Sequence, residues 1–345
     1  MVQYMKKIIN YILLIVSLGL TYWIFFYKND FSNFPQLIGK TNKFYLSLGF
    51  LCIILYWIFD AYIIYKIRKV LDIKGSFKSS FIITMVGQYY GAITPFSSGS
   101  QPAQIYLLIN NGFPVGTVSS LMIIRFLIYQ LVITFYSISM FIINFNFLLN
   151  KVKFAIPFIA IGCLLNLFIL LMIIGFFRNE KLIKKVSSKV FAIGHKLKLI
   201  KDIRKLENKI DKGLVDYTVS INHMKEDKRI TLLLILTSFL QLTFYFSITY
   251  FVYLAIGLIG FSFLDIIGIQ SLHYTAVSFI PTPGTVGAAE GGFYILYNTI
   301  FPREILVFAM ILWRFISYYF VIIMSGIVTL ANFIHKRKRN QDKYN

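Results

Sequence analysis

Three ionisable residues stand where charge is costly: Arg125 in MIIRFLIY, Arg314 in ILWRFISY and Glu290 in PTPGTVGAAEGGF, each embedded in apolar sequence. Such a group inside a membrane-spanning stretch pairs with another charge or meets a polar ligand. Glu290 calls for Arg125 or Arg314, or for a cationic headgroup. Either arginine could instead hold a lipid phosphate through two parallel N–H···O bonds. The chemistry on offer is headgroup recognition, with a purely structural Glu–Arg pair holding the halves together as the alternative. His273, beside Gln270 and Tyr274, reads as a satisfied buried histidine. An enzyme would need an acid/base or nucleophile set, and only Glu290 with His273 could supply one. There is no HExxH and no nucleotide loop, and Cys52 and Cys163 lie in apolar runs without zinc spacing, so no catalytic set, metal or cofactor is expected.

Two polar, uncharged interruptions would have to position these groups. The first runs Ile93-Thr94-Pro95-Phe96-Ser97-Ser98-Gly99-Ser100-Gln101-Pro102, the second Pro281-Thr282-Pro283-Gly284-Thr285-Val286-Gly287. Proline removes a backbone donor and clashes with the preceding helical turn. Broken backbone at membrane depth is tolerated only where protein or a wet cavity surrounds it. A new helix should begin after each break, with Ser98 or Ser100, and Thr285, as N-caps. Free N–H groups at two helix N-termini would suit an anionic group; packing through Gly87xxxGly91 and Gly287xxxGly291 is the plainer alternative. The candidate headgroup contacts are Thr94, Pro95, Gly99, Gln101 and Gln104 in the first half. In the second they are Pro281, Pro283, Gly284, Gly287 and Glu290, with Arg125 and Arg314 beside them.

The elements carrying these segments are membrane helices. The chain of 345 residues is 57% hydrophobic and only 14% charged, against roughly a quarter charged in soluble domains. Apolar runs long enough to span, about 20 residues, recur throughout. An all-α polytopic protein follows, with about eight transmembrane helices, near 11–27, 44–65, 79–95, 117–143, 154–177, 231–256, 263–280 and 305–332, plus two short broken segments. Asp60 and Asp265 fall near span ends and read as interfacial. The formal net charge of +21 does not indicate nucleic acid, because Lys and Arg cluster in loops. Lys66–Lys78, the stretch 178–229 and the tail 336–345 should all be cytoplasmic, as should both termini. Parity then requires each short segment to return, as a further pass or as one arm of a re-entrant hairpin. The linker 178–229, with apolar residues at three- and four-residue steps between lysines, reads as helices lying on the inner leaflet.

Aligning Pro95 with Pro283 places Gly99 on Gly287, and Arg-Phe follows thirty and thirty-one residues later at Arg125 and Arg314. The halves, 1–150 and 151–335, thus share one plan, and the charge pattern orients them oppositely. That is the inverted repeat of many secondary transporters. Glu290 has no acidic counterpart in the first half, which offers Gln101 and Gln104. Small-residue spacings serve packing within one chain and between copies alike, so a homodimer stays open.

The paired segments TPFSSGSQPAQIYLL and PTPGTVGAAEGGF, each followed by an Arg-bearing span, resemble the lysylphosphatidylglycerol synthase/flippase transmembrane family, the membrane part of the multiple peptide resistance factor. The resemblance implies a module of the bacterial cell membrane that moves lipids such as aminoacylated phosphatidylglycerol to the outer leaflet, with anionic or aminoacylated phospholipids as partners. The exported lipid would lower negative surface charge and repel cationic peptides. Two-part members carry a soluble transferase, whereas this chain ends about ten residues after its last expected span. Transport is therefore expected over lysyl transfer, with a lipid-modifying membrane enzyme as the alternative.

Overall fold

The structure, a computed structural model, describes residues 34–178 and 227–341; the expected first span and nearly all of the amphipathic linker lie outside them. A short helix α1 (Phe34–Lys40) leads into α2 (Lys43–Val70). Then come α3 (Phe77–Ala92), α4 (Ser100–Ile109), α5 (Val115–Ile143), a short α6 (Phe145–Lys151) and α7 (Ile156–Arg178). After the linker follow α8 (Lys228–Ala255), α9 (Phe263–Val277), α10 (Ala288–Tyr297), α11 (Arg303–Arg314) and, through a π-helical turn at Phe315–Tyr319, α12 (Phe320–Gln341).

Five of these stretches are long and apolar enough to cross a membrane: 43–70, 115–143, 153–175, 228–255 and 303–337. Of the other three expected spans, one lies outside the described residues. The other two are α3 and α9, of 16 and 15 residues, about 24 and 22 Å long at 1.5 Å per residue and short of the ~30 Å hydrocarbon thickness. Each is joined to a ten-residue partner, α4 or α10, as a helical hairpin.

The spans start and stop where local chemistry tells them to. Asn42 Oδ1 accepts from the N–H of Phe44 at 2.9 Å and opens α2, and Ser76 caps α3 through Ser79 N–H. Ser262 and Asp265 cap α9 reciprocally, so Asp265 sits at an exposed helix start as expected. Pro114 and Pro302 stand just before α5 and α11 with extended backbone, where their missing N–H costs nothing.

Helices α2 and α8 lie side by side and antiparallel. Asn42 N–H donates to Ala255 O at 2.7 Å, and Phe59 stacks on Phe244 while Tyr56 meets Tyr245. The largest core joins α8 to α9, α10 and α11 through Tyr253, Ile269, Phe293 and Trp313, and a second core gathers the end of α2, α4 and the start of α5 and α8. The basic segments meet at this second end: Ile67, Ile73 and Leu234 share its core, and Lys336 Nζ donates to Asn111 Oδ1. Hairpin α3–α4 enters from the basic end and α9–α10 from the opposite one.

The two breaks follow the same backbone path, 188 residues apart. Ser97 N–H donates to Thr94 O and Ser98 N–H to Pro95 O; Thr285 N–H donates to Thr282 O and Val286 N–H to Pro283 O. Phe96 and Ser97 have φ of 54° and 53°, and Gly284 and Thr285 have 57° and 55°. Left-handed backbone is costly for a bulky or β-branched residue, so the recurrence is not a default of the chain. The breaks touch through an isolated antiparallel bridge between Pro95 and Pro283. Equivalent residues paired antiparallel define a local two-fold axis, as inverted halves require.

Candidate functional site

The first charged cluster is built by α2, α4, α5 and α8. Arg125 Nη2 donates to Asp60 Oδ1 and Oδ2 at 2.6 and 2.8 Å, and Nε donates to Oδ1 at 3.1 Å. Its Nη1 donates to Gln104 Oε1 at 2.9 Å, and Gln241 Nε2 donates to Asp60 at 3.1 Å. Gln104 is itself anchored to Ile83 O, and a Cβ on Gly87 would lie 2.1 Å from Gln104 Nε2. Gly87 therefore makes room for the amide that meets the arginine.

Asp60 corrects the interfacial reading. It is buried at the eighteenth position of the 28-residue α2 and holds Arg125. The apolar run appeared to end at Tyr65, but the helix continues to Val70, which moves Asp60 toward its middle.

The second cluster is more enclosed. Arg314 Nε donates to Glu290 Oε1 and Nη2 to Gly284 O, both at 2.6 Å, and the guanidinium lies 4.2 Å from the Tyr318 ring centre. Glu290 Oε2 accepts from Gly287 N–H at 2.6 Å. Of the two arginines offered to Glu290, the near one in sequence is its partner. The same carboxylate closes the N-terminus of α10, so the expected anion-binding helix end is filled by the chain's own side chain. On the other half Thr94 Oγ1 does likewise, accepting from Gly99 N–H at 2.9 Å. Ser98, Ser100 and Thr285 are not the N-caps. The left-handed turns place Gly99 and Gly287 there instead, and the Thr285 hydroxyl donates to Gly284 O.

Between the hairpins lies a cavity of about 770 Å³. Arg125, Gln101, Gly284 and Arg314 line it, and Asp60 joins them. Glu290 and Gln104 stand behind the arginines. Thr94, Pro95, Gly99, Pro281, Pro283 and Gly287 shape the breaks without forming its wall. Gly284 is needed twice: its φ is positive, and a Cβ would fall 2.0 Å from Tyr318. His273 is buried with Nε2 2.9 Å from Ala289 O, but Nδ1 has no partner among the described residues. The reading of a fully satisfied histidine is thus half right.

Five tyrosines also face the cavity: Tyr56, Tyr129, Tyr245, Tyr274 and Tyr318. Tyr129 and Tyr318 each stand four residues after the arginine of their half, and each reaches into the other half. Tyr129 Oη meets Tyr274 Oη at 2.6 Å, and Tyr318 Oη donates to Ala92 O at 3.3 Å. The shared Arg-Phe-x-x-Tyr spacing was the sequence signal for them.

The family described as "Lysylphosphatidylglycerol synthase TM region" matches residues 10–325. A "UPF0104 membrane protein" of Archaeoglobus fulgidus is 27% identical over 321 residues, covering 91% of this chain and 94% of the relative. With five apolar spans and no strand among the described residues, these likenesses agree with the architecture. The chain is a multi-pass membrane protein belonging to the lysylphosphatidylglycerol synthase transmembrane-region family.

Proposed function

We propose that this protein moves the polar headgroup of a phospholipid between leaflets, an aminoacylated lipid such as lysyl-phosphatidylglycerol being the substrate the family suggests. The observation that carries the reading is the cavity. It lies between two oppositely inserted hairpins, it is walled by amides, hydroxyls and aromatic rings, and its ion pairs line or back it. Broken helices around a central polar site are the arrangement of secondary transporters, and a cavity of this size suits a headgroup. On this reading the basic end faces the cytoplasm of a bacterial cell and anionic lipid lies against it.

The test is reconstitution. Proteoliposomes containing the protein should transfer a labelled aminoacyl or anionic lipid between leaflets, and Glu290→Gln and Arg314→Ala should slow that transfer. Wild-type vesicles that move no candidate lipid faster than protein-free vesicles would sink the reading.

A further inference from the structure

The two breaks share a backbone path but not a filling. At the first residue past the shared proline both take left-handed backbone, Phe96 with φ 54° and Gly284 with φ 57°. Glycine adopts this region freely, whereas a bulky side chain is strained there. The second half makes use of its glycine: Tyr318 packs so closely that a Cβ on Gly284 would lie 2.0 Å away. Tyr129, the counterpart of Tyr318, meets Tyr274 instead, and Phe96 stands 57% exposed.

Packing does not account for the phenylalanine. It belongs to none of the apolar cores among the described residues, yet it lines the cavity. Its neighbours follow suit. Ser97 and Ser98 line the cavity and are exposed, while their counterparts are more enclosed, Thr285 half-buried and Val286 buried. Residues that both line a cavity and stand exposed lie at its mouth. The mouth is therefore at the first break, whereas Arg314 and Tyr318 pack against Gly284 at the second.

Backbone strain that packing does not require points to a side chain used for itself. We propose that Phe96 gates the mouth of the cavity and sets the size of what passes. Its ring stands at the rim, and an exposed ring changes rotamer fast, so the opening widens or narrows without moving a helix. Ser97 and Ser98 offer hydroxyls at the same rim, beside which a polar group can pass. A phenyl ring carries no charge and no hydrogen-bonding group, so it selects by bulk and not by headgroup chemistry. That the entrant is a lipid headgroup rests on the transport reading; the gate itself does not.

Gln88 lines the cavity and is half-buried, so Gln88→Cys puts a thiol on its wall; Ser278→Cys, at the end of α9 and also lining it, repeats the measurement from the other hairpin. In the full chain in detergent, labelling by a small methanethiosulfonate and by a bulky biotin-maleimide is timed, with mass spectrometry separating the new site from the buried Cys52 and Cys163. Phe96→Gly should speed the bulky reagent at least about threefold and toward tenfold, the latter about 1.4 kcal/mol in barrier. The small reagent should gain less, and Phe96→Trp should slow both. Because glycine relieves the strain, the unfolding midpoint of Phe96→Gly should stay within about 4 °C of its parent or rise. A gain below about threefold for the bulky reagent means that the ring merely faces lipid, and it overturns the gate even if vesicles show leaflet exchange. A midpoint lower by more than about 4 °C makes the ring a packing element and overturns the gate as well. Labelling that follows residue 96 in a protein whose vesicles move no lipid keeps the gate and overturns the transport reading.

Discussion

Replacing Glu290 with glutamine preserves shape and removes charge, and the contacts fix the consequence. The carboxylate is fully buried, with one oxygen on Arg314 Nε and the other on Gly287 N–H, both at 2.6 Å. A glutamine offers one acceptor oxygen and one NH2 donor, so one of those N–H groups must face a donor. Arg314, 3% exposed, is left without a carboxylate. Removing one member of a buried pair costs about 3–5 kcal/mol. At roughly 2–4 °C per kcal/mol, the unfolding midpoint should fall by something on the order of 10 °C. Glu290→Gln combined with Arg314→Gln removes both charges and should recover about 2 kcal/mol of that loss. Cys52 and Cys163 are free and buried, so a thiol-reactive fluorogenic dye reports unfolding in detergent. A single variant within about 2 °C of wild type, or a double variant no more stable than the single, refutes the account.

Asp60→Asn should lower the midpoint less than Glu290→Gln, because Arg125 keeps Gln104 and its side chain is 18% exposed; the reverse order in the same dye assay would contradict the difference in enclosure. Gly284→Ala should be strongly destabilising, since the added methyl meets Tyr318 at 2.0 Å, while Gly291→Ala meets nothing within 4 Å and should hold or raise the midpoint. Tyr129→Phe removes the bond to Tyr274 and should cost about 0.5–1.5 kcal/mol, readable as a midpoint shift. In native membranes both cysteines should resist maleimide until the protein is unfolded, which mass spectrometry of labelled protein checks.

The breaks were legible because proline and glycine constrain the backbone regardless of context, and Arg125 and Arg314 were legible because charge stands out against apolar sequence. Partners were not. Which carboxylate meets which arginine depends on how helices distant in sequence rotate against one another, and Asp60 is 65 residues from Arg125. The caps misled because the two left-handed residues after each proline put glycines at the cap positions, past Ser98 and Thr285 and with Ser100 already inside α4. The unpartnered Nδ1 of His273 was invisible for the same reason, since a histidine in a string of letters does not disclose what fails to reach it.

The two hairpins are also tethered unequally. The carboxylate that holds Arg125 comes from the spanning helix α2, and among the described residues hairpin α3–α4 is hydrogen-bonded to that pair through Gln104 alone. The carboxylate that holds Arg314 rides on hairpin α9–α10 itself. Swinging α9–α10 away from α11 must separate buried opposite charges, whereas α3–α4 can withdraw from Arg125 for one amide hydrogen bond to a charged group, about 1.5–3 kcal/mol. The two hairpins are therefore held to their arginines with unequal strength; amide exchange should be faster along α3–α4 than along α9–α10, and equal rates would show the tethers to be matched.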